Sequence, residues 1–192
     1  MSYQRPDAYF LLRAVRCLDD RAAGRAIDVG DLMLAVDALS SLTESEDCDG
    51  YRSSDIIDAR EGLKQIAAGM DIPDVPQVRR RARKLATLLL AVAIDRWSPN
   101  GVQVAWETSR DGGFAARYGR WEFAMHPVST PFGISWRWVA RRSERYEGDL
   151  RLIRVDDGEA HSARAAELYM VMLANESDEA RGVLEQGGQT AV

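Results

Sequence analysis

The chain has 192 residues, enough for one full core or two small ones, and its 46% hydrophobic and 29% charged content excludes a disordered or fibrous protein. Its longest apolar run, Leu85 to Ile94, is about half the ~20 residues that a membrane span needs, and its first residues lack the apolar stretch of a secretory signal. The net charge of −5 is strongly segregated: −7 over residues 1–74, +5 over 75–97, +3 over 98–155 and −6 over 156–192.

Cys17 and Cys48 form no disulfide framework by their contexts, so a reduced, cytoplasmic protein is expected. Residues 6–23 predict a first helix with Pro6 near its entry. Asp31 to Leu39 predicts a second, ending in the polar run Thr43 to Gly50. Ser53 or Ser54 can cap a third, because Ile56, Ile57, Leu63 and Ile66 recur near helical spacing. Asp71-Ile72-Pro73-Asp74-Val75-Pro76 breaks that pattern, and Pro76 is placed to open a fourth helix running to about Trp97. Ser98-Pro99-Asn100-Gly101 then carries turn chemistry. Residues 1–97 therefore predict a helical region of about four helices.

Beyond it the hydrophobic period changes from 3.6 to 2. All five tryptophans lie between Trp97 and Trp138, and the last four sit in strand-like runs. Val102, Val104 and Trp106 share one face, as do Trp121, Phe123 and Met125, and then Ile134, Trp136 and Trp138. Gln103, Glu107, Glu122, His126, Arg137 and Arg141 fall on the opposite face. Arg110-Asp111-Gly112-Gly113 and Tyr118-Gly119-Arg120 predict hairpin turns. A last strand, Leu150 to Val155, precedes a turn at Asp156-Asp157-Gly158 and a helix from Glu159 to about Asn175. The expected fold class is α+β, with a four-stranded antiparallel sheet and covering helix over residues 98–176 and a disordered tail over 177–192.

Motifs for chemistry are absent. The only histidines are His126 and His161, and there is no CxxC or HExxH, so no metal site is predicted. The acidic loop Ser45 to Gly50 fails as a calcium loop, because Ile56 falls where a bidentate carboxylate is required. No nucleophile elbow and no phosphate-cradling glycine loop occur, so no catalytic residue and no cofactor are assigned. Cys17 lies in an apolar helix and reads as a buried structural thiol.

The sharpest feature is the basic run Arg79-Arg80-Arg81-Ala82-Arg83-Lys84 at the start of the fourth helix. Positive charge there opposes the helix macrodipole by roughly 0.3–1 kcal/mol per group, so the choice asks for a reason. An external polyanion is one reason, and Arg79, Arg80, Arg83 and Lys84, extended by Arg137, Arg141 and Arg142, would contact it. Internal counter-charges from Asp71, Asp74 and the loop Glu44 to Asp49 are the other. That loop, with Glu44, Glu46, Asp47 and Asp49, can also mimic nucleic acid toward a basic protein partner. Leu85 to Ile94 is apolar on nearly all sides, and the N-terminal helices or a second copy of the chain must cover it.

Tyr118-Gly119-Arg120-Trp121, Trp136-Arg137-Trp138-Val139 and Ala163-Arg164-Ala165-Ala166-Glu167-Leu168 resemble short β-meander-plus-helix domains of phage and prophage accessory proteins. The resemblance covers about residues 101–175 and implies a small non-enzymatic binder, such as an inhibitor of host defence of the anti-CRISPR kind. The expected function is a protein-interaction module acting as inhibitor or regulator. Nucleic-acid binding through the basic helix is the alternative, followed by an enzyme of unrecognised type.

Overall fold

Where the hydrophobic period is 3.6 the chain is helical, and where it is 2 it forms a sheet. The computed structural model describes residues 6–44, 53–69, 76–96, 104–109, 112–131, 133–146 and 149–187. Helices α1 (Pro6–Ala22), α2 (Val29–Glu44), α3 (Ser53–Ala68) and α4 (Pro76–Arg96) come first, close to their expected limits. Pro6 and Pro76 each open a helix, where their missing N–H costs nothing. α1 packs on α4 and α2, and α3 packs on α2 and α4. Ala82, Ala86 and Ala93 of α4 are fully buried and let α1 approach closely. Leu85, Leu89, Leu90 and Val92 are buried too, so the apolar half of α4 is covered within the chain.

The sheet is a five-stranded antiparallel meander in chain order: β1 (Glu107–Thr108), β2 (Phe114–Tyr118), β3 (Trp121–Thr130), β4 (Gly133–Tyr146) and β5 (Asp149–Ala160). Four strands were expected. The uncounted one is β2, which lies between the two expected turns; its small, polar centre Ala115-Ala116-Arg117 carries no clear alternation. The expected first strand shrinks to Glu107–Thr108, with Val104 to Trp106 described but unpaired. Gly112 (φ 79°) and Gly119 (φ 57°) take the left-handed backbone that both hairpin turns require.

β5 also differs. It continues through Asp156-Asp157-Gly158 to Ala160 instead of turning there, and a register shift between Ala140 and Arg141 of β4 absorbs the irregularity. A Cβ at Gly158 would lie 3.1–3.2 Å from the Trp138 indole, so any other residue would require that ring to give by a few tenths of an ångström where β5 passes over it. The closing helix α5 (Ala163–Gly187) therefore starts later than Glu159, and Ser162 Oγ caps it by accepting from the Ala165 N–H at 3.2 Å. It also runs past Asn175, through the helix formers Glu179, Ala180 and Arg181 with no proline to stop it.

α5 lies across the inner face of the sheet and touches β3, β4, β5 and α1. Trp121, Phe123, Met125, Trp138 and Ala140 meet it from the sheet, and one continuous core joins them to the helices. Trp121 and Trp138 are fully buried, Trp106 and Trp136 partly so, and Trp97 lies outside the described residues. Among the described residues no helix is long and apolar enough to cross a membrane.

Candidate functional site

The first two turns of α4 divide their residues between two faces. Ala82, Leu85 and Ala86 turn inward, while Arg80, Arg81, Lys84 and Thr87 are exposed and Arg79 and Arg83 half-buried. Arg79 and Arg83, like Arg80 and Lys84, are four residues apart and Arg80 and Arg83 three, which places these pairs along one side of the helix. That side faces the turn between β3 and β4. Arg83 donates a hydrogen bond to the carbonyl of Ile134 and so ties the helix to the turn. An open groove runs between them, lined by Arg80, Arg83, Lys84, Thr87 and Pro131.

Arg83 and Pro131 also line an inner cleft of about 170 Å³, with Arg79, Thr130, Ser135, Glu159, Asp19 and His161. Among the described residues Asp19 is the one buried charged residue, at 4% exposure, so it needs partners. Tyr169 O–H donates to its Oδ2 at 2.7 Å, and His161 Nδ1 lies 3.0 and 3.1 Å from its two oxygens. Burial, and then the Asp19 charge, push the Tyr169 phenol well above its ordinary range, so it stays a donor. A carboxylate only accepts, so His161 Nδ1 must carry a proton. Its other ring nitrogen, Nε2, is buried and has no hydrogen-bond partner among the described residues.

The sequence-derived basic set is only partly brought together. Arg137 reaches the rim of the inner cleft, where its Nη2 lies 3.4 Å from Glu159 Oε1. Arg141 sits opposite Glu122 and Arg154 on the outer sheet face, roughly 13 Å further along β4 by strand rise. Arg142 points to the inner face, stacks over Trp121 at 5.5 Å and pairs with Glu144, so its charge is engaged internally. Of the acidic set, Glu46, Asp47, Asp49 and the side chain of Glu44 lie outside the described residues, as do Asp71 and Asp74. Arg80, Arg81 and Lys84 form no ion pair among the described residues.

No protein-family model, no curated protein and no solved structure matches this chain. The functional reading rests on the groups just described. What they offer chemically is a row of cations beside a polar turn, backed by a histidine oriented by a buried carboxylate. Sequence spacing could not have found Asp19 and His161, which are 142 positions apart. One trace existed: Asp19 falls on the same helical stripe as Leu11, Leu12 and Val15, where an acidic residue is out of place.

Two other features bear on function. Cys17 is 6% exposed, and burial, reinforced by the charges of Asp31 and Asp20, pushes its thiol up to about 12, which leaves it inert. At the far end of the sheet, β4 and β5 form a ribbon on which Tyr146, Leu150, Leu152 and Ile153 are exposed, at 56%, 71%, 49% and 42%. β5 is the last strand of the sheet, so the ribbon also presents an open backbone edge there.

Proposed function

We propose that the protein binds nucleic acid, without chemistry of its own, through the groove between the start of α4 and the β3–β4 turn. The observation that carries this is the solvent-facing row Arg80, Arg81 and Lys84, unpaired among the described residues and continued by Arg83 beside Pro131. Such a row of like charges is unfavourable in isolation, and a polyanion relieves the mutual repulsion. Hydrogen-bonding groups of the turn, Thr130 and Ser135, stand beside the cations and can contact sugar or phosphate.

Titrating a fluorescent duplex oligonucleotide with the protein tests this. Three or four neutralised phosphates predict affinity falling roughly 40- to 150-fold between 50 and 200 mM salt. Absence of binding at the lower salt, or binding indifferent to salt, removes the reading.

The β4–β5 ribbon favours a second reading, a protein partner. Apolar side chains exposed on both faces of the ribbon, Leu150 and Leu152 on one and Tyr146 and Ile153 on the other, next to an open strand edge, fit capture of another chain by strand addition. Leu150→Asp with Leu152→Asp is expected to release captured protein from the wild-type complex without altering nucleic-acid affinity. Unchanged capture by that variant counts against the ribbon.

A further inference from the structure

Resting on the strand-addition reading of the ribbon, we propose that its partner is a second copy of this chain, paired antiparallel along the outer edge of β5. Asp149 to Val155 are exposed without interruption, on the last strand of the sheet. An edge of this length and apolarity invites pairing unless something blunts it. Here the blunting comes late. Val155 is the extra residue at the register shift, and Arg16 of α1 holds the next residue, Asp156, at 2.6 Å. Asp149 to Arg154 stay in regular register with β4 and present the open edge.

The other edge of the sheet sets the symmetry. β1 is only two residues long and gives the β5 of a neighbour little to pair with, so head-to-tail stacking is disfavoured. Joining β5 to β5 about a two-fold axis closes the assembly as a dimer.

That axis stands perpendicular to the sheet, so residues that meet across it share a face. Leu150 and Leu152 lie on the outer face, opposite Arg145 and Ser143 of β4. Asp149, Arg151 and Ile153 lie on the inner one, opposite Tyr146, Glu144 and Arg142. With the axis at Arg151, Leu150 meets Leu152 of the second copy twice, which covers side chains that are 71% and 49% exposed. The two Arg151 side chains face each other across the axis. Each lies over its own Tyr146 ring, 5.1 Å from the centroid, and stands diagonal to Asp149 of the other copy. One short segment therefore carries both sides of an apolar match and an ionic match, and this self-complementarity selects a second copy over a foreign strand.

The pairing has a consequence for the groove. Ile134, whose carbonyl anchors Arg83, is ten residues along β4 from Glu144, the cross-strand neighbour of Arg151. Each groove then sits ~33 Å from the axis along the strands, at opposite ends of the joined sheet. One dimer can hold two nucleic-acid segments at once.

Sedimentation of the full chain tests this by mass, 21.4 kDa for one copy and twice that for two. The paired segment is shorter than the 20–30 residues a side of a standard interface, so a dissociation constant of about 1–100 μM is expected. Leu150→Asp with Leu152→Asp should leave a folded monomer. Asp149→Arg should weaken association roughly tenfold by setting like charges together, and adding Arg151→Asp should restore it. Mere damage to the hairpin would show no such rescue. Under oxidation Arg151→Cys should crosslink to its own copy above the wild-type baseline, whereas Asp149→Cys, which faces position 153, should not. A dimer untouched by the leucine variant, or crosslinked equally at 149 and 151, overturns the proposal. So does a wild-type chain that stays monomeric at about 100 μM, the upper end of that range. If that monomer still captures a foreign protein and the leucine variant releases it, the strand-addition reading survives with another partner. If it captures none, both fall.

Discussion

Charge reversal at two exposed positions, Arg80→Glu with Lys84→Glu, is expected to weaken nucleic-acid binding by about 100-fold or more and leave the fold untouched. Both side chains face solvent in the groove beside Pro131, and neither is paired among the described residues. Losing two phosphate contacts and adding repulsion corresponds to about 2.7 kcal/mol, which is a hundredfold. The dependence of log affinity on log salt should flatten by about two units, one for each cation removed. Surface changes of this kind usually alter stability by no more than about 0.5 kcal/mol, and removing like charges from a helix N-terminus can add to it. Arg83 is deliberately spared, because its bond to the Ile134 carbonyl makes it part of the helix-to-turn contact. Undiminished binding by the double variant would mean that the groove is irrelevant to nucleic acid.

Asp19→Ala is expected to destabilise the fold by about 3–5 kcal/mol, the range for breaking a buried pair and orphaning its partners. The Tyr169 hydroxyl and the His161 Nδ1–H would each lose their acceptor in the interior. For a chain of this length that corresponds to a melting temperature lower by roughly 6–20 °C. Asp19→Asn should cost less, because its carbonyl still accepts from Tyr169, while its amide N–H forces His161 to offer a lone pair at Nδ1 and carry the proton at Nε2. Tyr169→Phe removes one hydrogen bond to a charged group, worth about 1.5–3 kcal/mol. The order Ala, then Phe and Asn, measured by denaturant unfolding, checks the network. An Asp19→Ala variant as stable as wild type would show that α1 and α5 are not joined there.

The α+β class was legible because period and punctuation agreed. Pro6, Pro76 and the apolar spacing of α1 to α4 speak the same local language, so boundaries came within a few residues. Trp121, Phe123, Met125, Trp136 and Trp138 announce a sheet face by strict alternation. β2 was missed because Ala115 to Arg117 carries too little side chain to alternate visibly. Tertiary pairing, not propensity, makes it a strand: it is bonded along its length to β3. Likewise Asp156-Asp157-Gly158 has turn composition, and β4 overrides it by supplying partners, with Gly158 chosen for the Trp138 ring.

The site was half legible. A basic run within one helix is a local fact, and its exposure follows from the inward turn of Ala82, Leu85 and Ala86. Extension of that surface along β4 was not, because Arg142 lies on the inner face against Trp121 while Arg137 and Arg141 lie on the outer one. That split follows the plain alternation of β4, since the extra residue at the register shift, Val155, lies on β5. The Asp19, His161 and Tyr169 network joins α1 to both sides of the α5 N-terminus, a long-range meeting that no spacing rule encodes.

Photocrosslinking the wild-type protein to a short duplex, followed by peptide mapping, tests the central claim most directly. Attachment to the start of α4 and to the β3–β4 turn, over 77–88 and 129–135, is the predicted result. Attachment confined to the ribbon tip around Tyr146 and Leu150, roughly 40 Å away along β4, would contradict it and place the nucleic-acid surface at the opposite end of the sheet.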